Sequence, residues 1–317
     1  MNKLKVKVSP HIRSGETTAG IMLDVIIALI PAFIASIYFF GPRALYITAV
    51  CILTCVLGEL AFQLITKRDV TINDLSAVVT GMLLAFNLPV SIPEWQAIIG
   101  SLVAIVVVKQ LFGGIGYNFA NPAATARVMM LVSFSGTLTH WTEPHNMDLV
   151  ASATPLGMMN AGDHEALPTL FNMMIGNRAG SMGETCAVAL IVGFVYLLCR
   201  RVITWHTPVV YVATTFVFTY LATGFDLEIA TYQVFAGGLL LGAIFMATDY
   251  ATTPPTPMGK VIFGLGCGII TVAVRLWGSN PEGVSFAILF MNILTPYISR
   301  LTAHRVLGAA RPEKKKA

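Results

Sequence analysis

Residues 21–40 read IMLDVIIALIPAFIASIYFF, twenty positions that carry a single charge, Asp24. At 1.5 Å of rise per residue, a run of that length crosses a hydrocarbon core of about 30 Å. Lys3, Lys5, Lys7 and Arg13 precede it, the layout of a signal peptide. The run is too long for a cleaved apolar core, and a second one follows at once, so it reads as a first transmembrane helix. Working outward, apolar segments recur at about 44–66, 75–90, 95–113, 119–137, 185–200, 207–224, 232–249, 259–277 and 283–301, ten in all. Several fall short of the roughly 17 residues of a full span and predict broken or re-entrant helices.

Composition agrees. Of 317 residues, 56% are hydrophobic and 11% charged, with a mean hydropathy of +0.74. A soluble domain carries about 25% charged residues, so this chain cannot clothe a water-facing surface. The net charge of +4 is therefore read against the bilayer and not as a nucleic-acid footprint; no nucleic-acid partner is expected. The five cysteines, Cys51, Cys55, Cys186, Cys199 and Cys267, all lie in apolar runs without Cys-x-x-Cys spacing and read as small core residues. Cys51 and Cys55 share one helix face.

Lys and Arg set the orientation. The N-terminal tail, Lys67 and Arg68, Arg200 and Arg201, Lys260 and the tail from Arg311 to Lys316 belong to one side, read as the cytoplasm. The other side holds Arg43 and Arg178 among Glu94, Glu143, Asp148, Asp163, Glu165, Asp226, Glu228 and Glu282. An even helix count brings both termini inside. A weak repeat runs through the chain: Gly81-Met-Leu-Leu and Gly238-Leu-Leu-Leu open comparable helices, and Asn121-Pro122 and Asn280-Pro281 follow about forty residues later in each half. Five helices per half force the second copy upside down. The fold expected is an all-α polytopic membrane protein of about ten transmembrane helices in two inverted five-helix repeats. Its parts are a first membrane repeat (1–137), an outer loop (138–184), a second membrane repeat (185–301) and a basic tail (302–317). Each Asn-Pro pair suits a helix start on capping grounds alone, and matched placement adds a functional reading for Asn121 and Asn280.

Charges inside spans are costly, about 2.5 to 3.5 kcal/mol each at the bilayer centre, so Asp24, Glu59, Lys109, Arg127, Asp249 and Arg275 need partners or water. Asp24 and Asp249 lie near span ends, within reach of water. Glu59 and Lys109 sit deeper, on different helices, and read either as a structural ion pair or as part of an ion path. The glycine clusters at 113–116 and 264–268 lack the strand and helix context of a dinucleotide fingerprint; close helix packing fits Gly264 and Gly268. No Walker, Ser-His-Asp or His-Glu-x-x-His pattern occurs, and His140, His145 and His164 have no metal spacing. The proline-rich turn at 248–260 reads as a stiff interhelical loop or as a binding segment whose Thr hydroxyls remain available to a ligand.

The loop at 138–184 is longer than helix connections usually are, which marks it as functional or disordered. Within it, residues 148–157 read DLVASATPLG, where Thr154 stands between small residues and a proline, extended and sterically open. From spacing alone this is an ordinary Ser/Thr turn.

That stretch resembles the covalent flavin-attachment motif of the Rnf and Na+-pumping NADH:quinone oxidoreductase families, with an Asp six residues before the attachment Thr. The resemblance covers the whole chain, including NFANPAATARVMM at 118–130 and MATDYATTPPTPMGK at 246–260, and is greatest to the family of Rnf D subunits. The chain lacks the longer N-terminal extension of the related B subunit of the Na+-pumping enzyme. The motif usually has Ser or Thr three residues before the attachment Thr, whereas here Ala151 stands there, with Ser152 one place later.

The resemblance implies FMN esterified through its phosphate to Thr154 by a flavin transferase, with Asp148, Ser152 and Ala153 in recognition positions. It also implies a noncovalent riboflavin for which no residue stands out. It further implies the inner (cytoplasmic) membrane, with the flavin loop on the outer face. Partners would be the other membrane and peripheral subunits of an Rnf complex. Electron transfer between ferredoxin and NAD would be coupled to Na+ or H+ movement, with Glu59, Lys109, Asn121 and Asn280 as candidates for the ion path. A flavin-free transporter with an inverted repeat, or a scaffold for redox partners, is the alternative, and Thr154 discriminates.

Overall fold

The computed structural model describes residues 15–144, 151–161, 167–278 and 282–303. The chain is helical almost throughout. α1 (Thr18–Phe40) begins where the Thr17 hydroxyl accepts from Gly20 N–H at 3.1 Å, and it ends at Gly41, whose φ of +74° suits glycine. α2 (Pro42–Ile65) starts directly afterwards with proline in its first turn. α3 (Ser76–Phe86) and α4 (Glu94–Leu102) follow, and α4 continues as a π-helical stretch over Val103–Gln110. α5 (Pro122–Ser133) and α6 (Ser135–Leu138) complete the first half.

The region expected as an outer loop carries structure. Strands β1 (Trp141–Thr142) and β2 (Ala151–Ser152) pair antiparallel, and α7 (Pro155–Ala161) and α8 (Leu170–Ile175) follow. Then come α9 (Ala187–Cys199), α10 (His206–Ala222), α11 (Leu227–Phe235), α12 (Leu239–Leu241) with a π-helical continuation over Gly242–Met246, α13 (Pro257–Trp277) and α14 (Val284–Thr302).

Each of the ten apolar segments coincides with a helix. Among the described residues, however, only α1, α2, α13 and α14 are long and apolar enough to cross a membrane by themselves, and the pair α11 and α12, bent by 61° at its break, makes a fifth candidate. α3 and α9 are apolar but shorter. Large outward side chains of the bundle, such as Ile34, Leu53, Ile65, Val192 and Leu301, are exposed, as lipid-facing residues are.

α1 packs on α9, α2 on α3 and α4, α10 on α13, α13 on α14, and α5 on α14. Gly81 does not open a helix as expected; it is the sixth residue of α3, while Gly238 caps α12. Its reason is packing. A Cβ built on Gly81 would lie 2.7 Å from Ile52 Cα and 3.0 Å from Cys51 O, both backbone atoms of α2. Gly81→Ala therefore forces α2 and α3 apart, and a loss of about 1–3 kcal/mol is expected, read as a lowered unfolding midpoint in detergent. An unchanged midpoint would show that the two helices separate freely. Gly264 and Gly268 play the role expected of them, with built Cβ atoms 3.1 Å from Thr207 O and 2.6 Å from Thr214 Cβ on α10.

Other expectations change. Asp24 is not left to water: its carboxylate accepts from Tyr196 Oη at 2.8 Å and from Arg200 at 3.2 Å, which joins α1 to the end of α9. The threonines of the proline-rich turn are engaged by the protein. Thr252 donates to Asp249, Thr253 to Ala247 O, and Thr256 caps α13 and bonds Thr302. Gly113, Gly114 and Gly116 all have positive φ and shape a tight turn after the π-helix.

Candidate functional site

The segment around Thr154 is held by short, local interactions. β2 pairs with β1 so that Ser152 lies opposite Trp141 and Ala151 opposite Thr142. The chain then passes through exposed Ala153 to half-buried Thr154. Thr154 Oγ1 accepts from Gly157 N–H at 3.1 Å, and its carbonyl accepts from Met158 N–H at 2.9 Å, so Thr154 caps α7 with Pro155 in the first turn. Leu156 and Met159 anchor α7 on Met173, Tyr232 and Ala236. Thr154 thus presents its hydroxyl at the edge of a fixed segment. Asp148 lies outside the described residues, and so does Asn280.

Below this segment lies a buried charged cluster that joins the two halves. Leu156 lines a small polar cavity of about 20 Å³ together with Arg127, Glu184, Arg275 and Glu282. The Arg127 guanidinium sits 5.6 Å from the Trp141 ring centroid and pairs with Glu282 through Nη2, while its buried Nη1 has no hydrogen-bond partner among the described residues. Arg275 donates to Gln233 O at 2.6 Å and to Ala236 O at 3.0 Å, at the carbonyl end of α11. Arg178 donates to Glu184 O at 2.7 Å, and burial pulls its guanidinium below its usual range while Glu184 pulls it back. Sequence reasoning flags Arg127 and Arg275 as costly but takes Glu282 and Arg178 only as loop charges. A partner 155 positions away leaves no local signal.

The second constellation brings Glu59 and Lys109 together. Glu59 is 0% and Lys109 3% exposed. Lys109 Nζ lies 3.0 and 2.9 Å from the two Glu59 oxygens and 2.5 Å from Ser76 Oγ, so its three protons are all placed. Gln110 Nε2 donates to Glu59 at 2.6 Å. Lys109 belongs to the π-helical stretch, and a π turn is a recurrent way to aim a functional side chain. No group of three metal-ligating side chains occurs among the described residues.

Asn121 meets that pair only through a shared cavity. It caps α5 by accepting from Ala124 N–H at 3.1 Å and donates to Met246 O in the other half at 3.1 Å. With Asn118, Lys109, Ser76, Thr80 and Asp249 it lines a cavity of about 110 Å³, walled by apolar groups such as Leu83 and Phe245.

The sequence pattern described as the NQR2, RnfD, RnfE family matches residues 5–308. The D subunit of the Na(+)-translocating ferredoxin:NAD(+) oxidoreductase complex of Acetobacterium woodii is 44% identical over 318 residues, covering 99% of each chain. The D subunit of the proton-translocating ferredoxin:NAD(+) oxidoreductase complex of Clostridium ljungdahlii is 37% identical, covering 98% of each. The D subunit of the ion-translocating oxidoreductase complex of Haemophilus influenzae is 34% identical, covering 96% of this chain and 98% of its own.

Proposed function

This chain belongs to the NQR2, RnfD, RnfE family, and from that premise we propose that it is the D subunit of an Rnf complex, coupling electron transfer between ferredoxin and NAD to translocation of Na+ or H+, with FMN esterified to Thr154. The observation that carries the flavin is the placement of Thr154: a half-buried hydroxyl, preceded by exposed Ala153 and held at the edge of a fixed segment. In the attachment reaction the Thr154 oxygen forms a bond to the FMN-side phosphorus of FAD as the pyrophosphate bond breaks. AMP departs, and the hydroxyl proton passes to a base of the transferase. When bound, the flavin supplies one-electron chemistry. The chain's own residues hold the tether, cap α7 and place cationic charge beneath it.

Basic loops and tails point the other end of the bundle to the cytoplasm of the inner membrane, which puts Thr154 on the outer face. The pairing of α1 with α9 and of α5 with α14 supports two inverted halves, because a two-fold axis packs equivalent elements against each other.

The test is the intact mass of the denatured chain from cells that contain the flavin transferase. An increment of one FMN establishes the reading; an unmodified chain gives the flavin-free transporter first place. The unpartnered Nη1 of Arg127 adds a second check, since a buried cation without its full set of acceptors suits a nearby phosphate. Arg127→Gln is expected to lower the flavin-bearing fraction about three-fold or more, with Arg127→Lys between it and wild type, read as in-gel flavin fluorescence per chain. Equal fluorescence in all three would remove Arg127 from the tether's surroundings.

A further inference from the structure

The buried pair of Glu59 and Lys109 is not isolated. Lys109 Nζ donates to Ser76 Oγ at 2.5 Å, and Ser76 Oγ in turn donates to Asp74 Oδ1 at 2.5 Å. The Ser76 N–H donates to the same Asp74 oxygen at 2.8 Å. Asp74 closes the short 3₁₀ turn Ile72–Asp74, which follows the exposed stretch from Lys67 to Thr71. Its other oxygen, Oδ2, is buried and has no hydrogen-bond partner among the described residues. Between Asp74 and Ser76 stands Leu75 with a φ of 62°, a left-handed conformation that non-glycine residues rarely adopt. The turn therefore holds a carboxylate and a hydroxyl in one line with the buried pair.

Ser76 completes the three acceptors of the buried ammonium, but a structural ion pair does not need the further link from Ser76 to Asp74. Glu59 already has Lys109 and Gln110 as close donors, and Lys109 has both carboxylate oxygens. The added links run from 0% exposed Glu59 to the basic surface through groups that each both give and take a proton. The Lys109 ammonium fills the position beside the carboxylate, so a metal cation finds no vacant oxygen cage there, whereas a proton needs only the hydrogen bonds present.

We propose that Asp74, Ser76, Lys109 and Glu59 form a proton relay from the basic end of the molecule to the buried carboxylate, and this inference rests on the ion-translocating reading above. A proton taken up on Asp74 starts the sequence. Lys109 gives a proton to Glu59, Ser76 gives its hydroxyl proton to Lys109, and Asp74 gives its proton to Ser76. One proton has then moved from Asp74 to Glu59, and Ser76 and Lys109 end as they began. The proton leaves the Asp74 carboxyl through Oδ1, the oxygen that Ser76 Oγ contacts.

The test uses the complete complex in sealed vesicles, with proton uptake and electron transfer followed together at several pH values. Ser76→Ala breaks the line and is expected to lower protons moved per electron about five-fold or more, with Asp74→Asn matching it, while Ser76→Thr, which keeps the hydroxyl, restores most of the wild-type ratio. Equal ratios in Ser76→Ala, Ser76→Thr and wild type overturn the relay. A wild-type complex that moves Na+ and no protons also overturns it, leaving the ion-translocating reading intact. A wild-type complex that transfers electrons without moving any ion overturns that reading itself.

Discussion

Thr154→Ala is expected to yield a chain with no flavin after denaturation, the largest change that a single substitution can make here. On the proposed reading the hydroxyl is the attachment atom, so its removal leaves nothing to esterify. The same oxygen caps α7, and the loss of a cap costs about 1 kcal/mol, which a folded membrane protein survives. The variant should therefore be recovered in wild-type amount with its unfolding midpoint only slightly lowered. Thr154→Ser keeps both the nucleophile and the cap and should retain part or all of the flavin. Intact mass and in-gel fluorescence of the three proteins decide the matter. Flavin persisting on Thr154→Ala would move the attachment to another hydroxyl, with Ser152 the nearest candidate.

The expectation for Thr154 comes from ten residues, and the way those residues fold shows what a sequence discloses. Thr154 followed by Pro155 reads as an ordinary turn, and the structure makes the pair the cap and first turn of a short helix. The apolar runs are equally local: α1, α2, α13 and α14 are legible because length and hydropathy are properties of adjacent residues. What is not legible depends on distant partners. Arg127 meets Glu282, Asp24 meets Arg200 and Asn121 meets Met246, each across more than a hundred positions. A sequence shows that a buried charge needs a partner without showing which one it takes. Gly81 illustrates the same limit. It reads as a helix start through its likeness to Gly238, but its function is to let the backbone of α2 approach α3. The short strands escape a sequence reading for another reason: two residues each is too little alternation to register.

Glu59→Gln and Lys109→Met should each destabilise the chain severely, because each leaves the other charge buried without its counterpart. Breaking one partner of a buried pair costs about 3–5 kcal/mol, against a typical total stability of about 5–15 kcal/mol. The double variant Glu59→Gln, Lys109→Met removes both charges and should recover most of that loss, since a desolvated pair contributes little net stability of its own. Unfolding midpoints in detergent should therefore rank both single variants well below the double variant and wild type. Singles that lose less than about 1 kcal/mol would mean that water reaches the pair.

The double variant also separates the two roles of these residues. If it is stable and the complex containing it still moves ions at the wild-type ratio, the pair is structural. If it is stable and translocation fails while the assembled complex still transfers electrons, Glu59 lies on the path, because stability no longer explains the defect. A proton relay ending on Glu59 requires the second result, since glutamine in its place cannot receive the proton that Lys109 passes on.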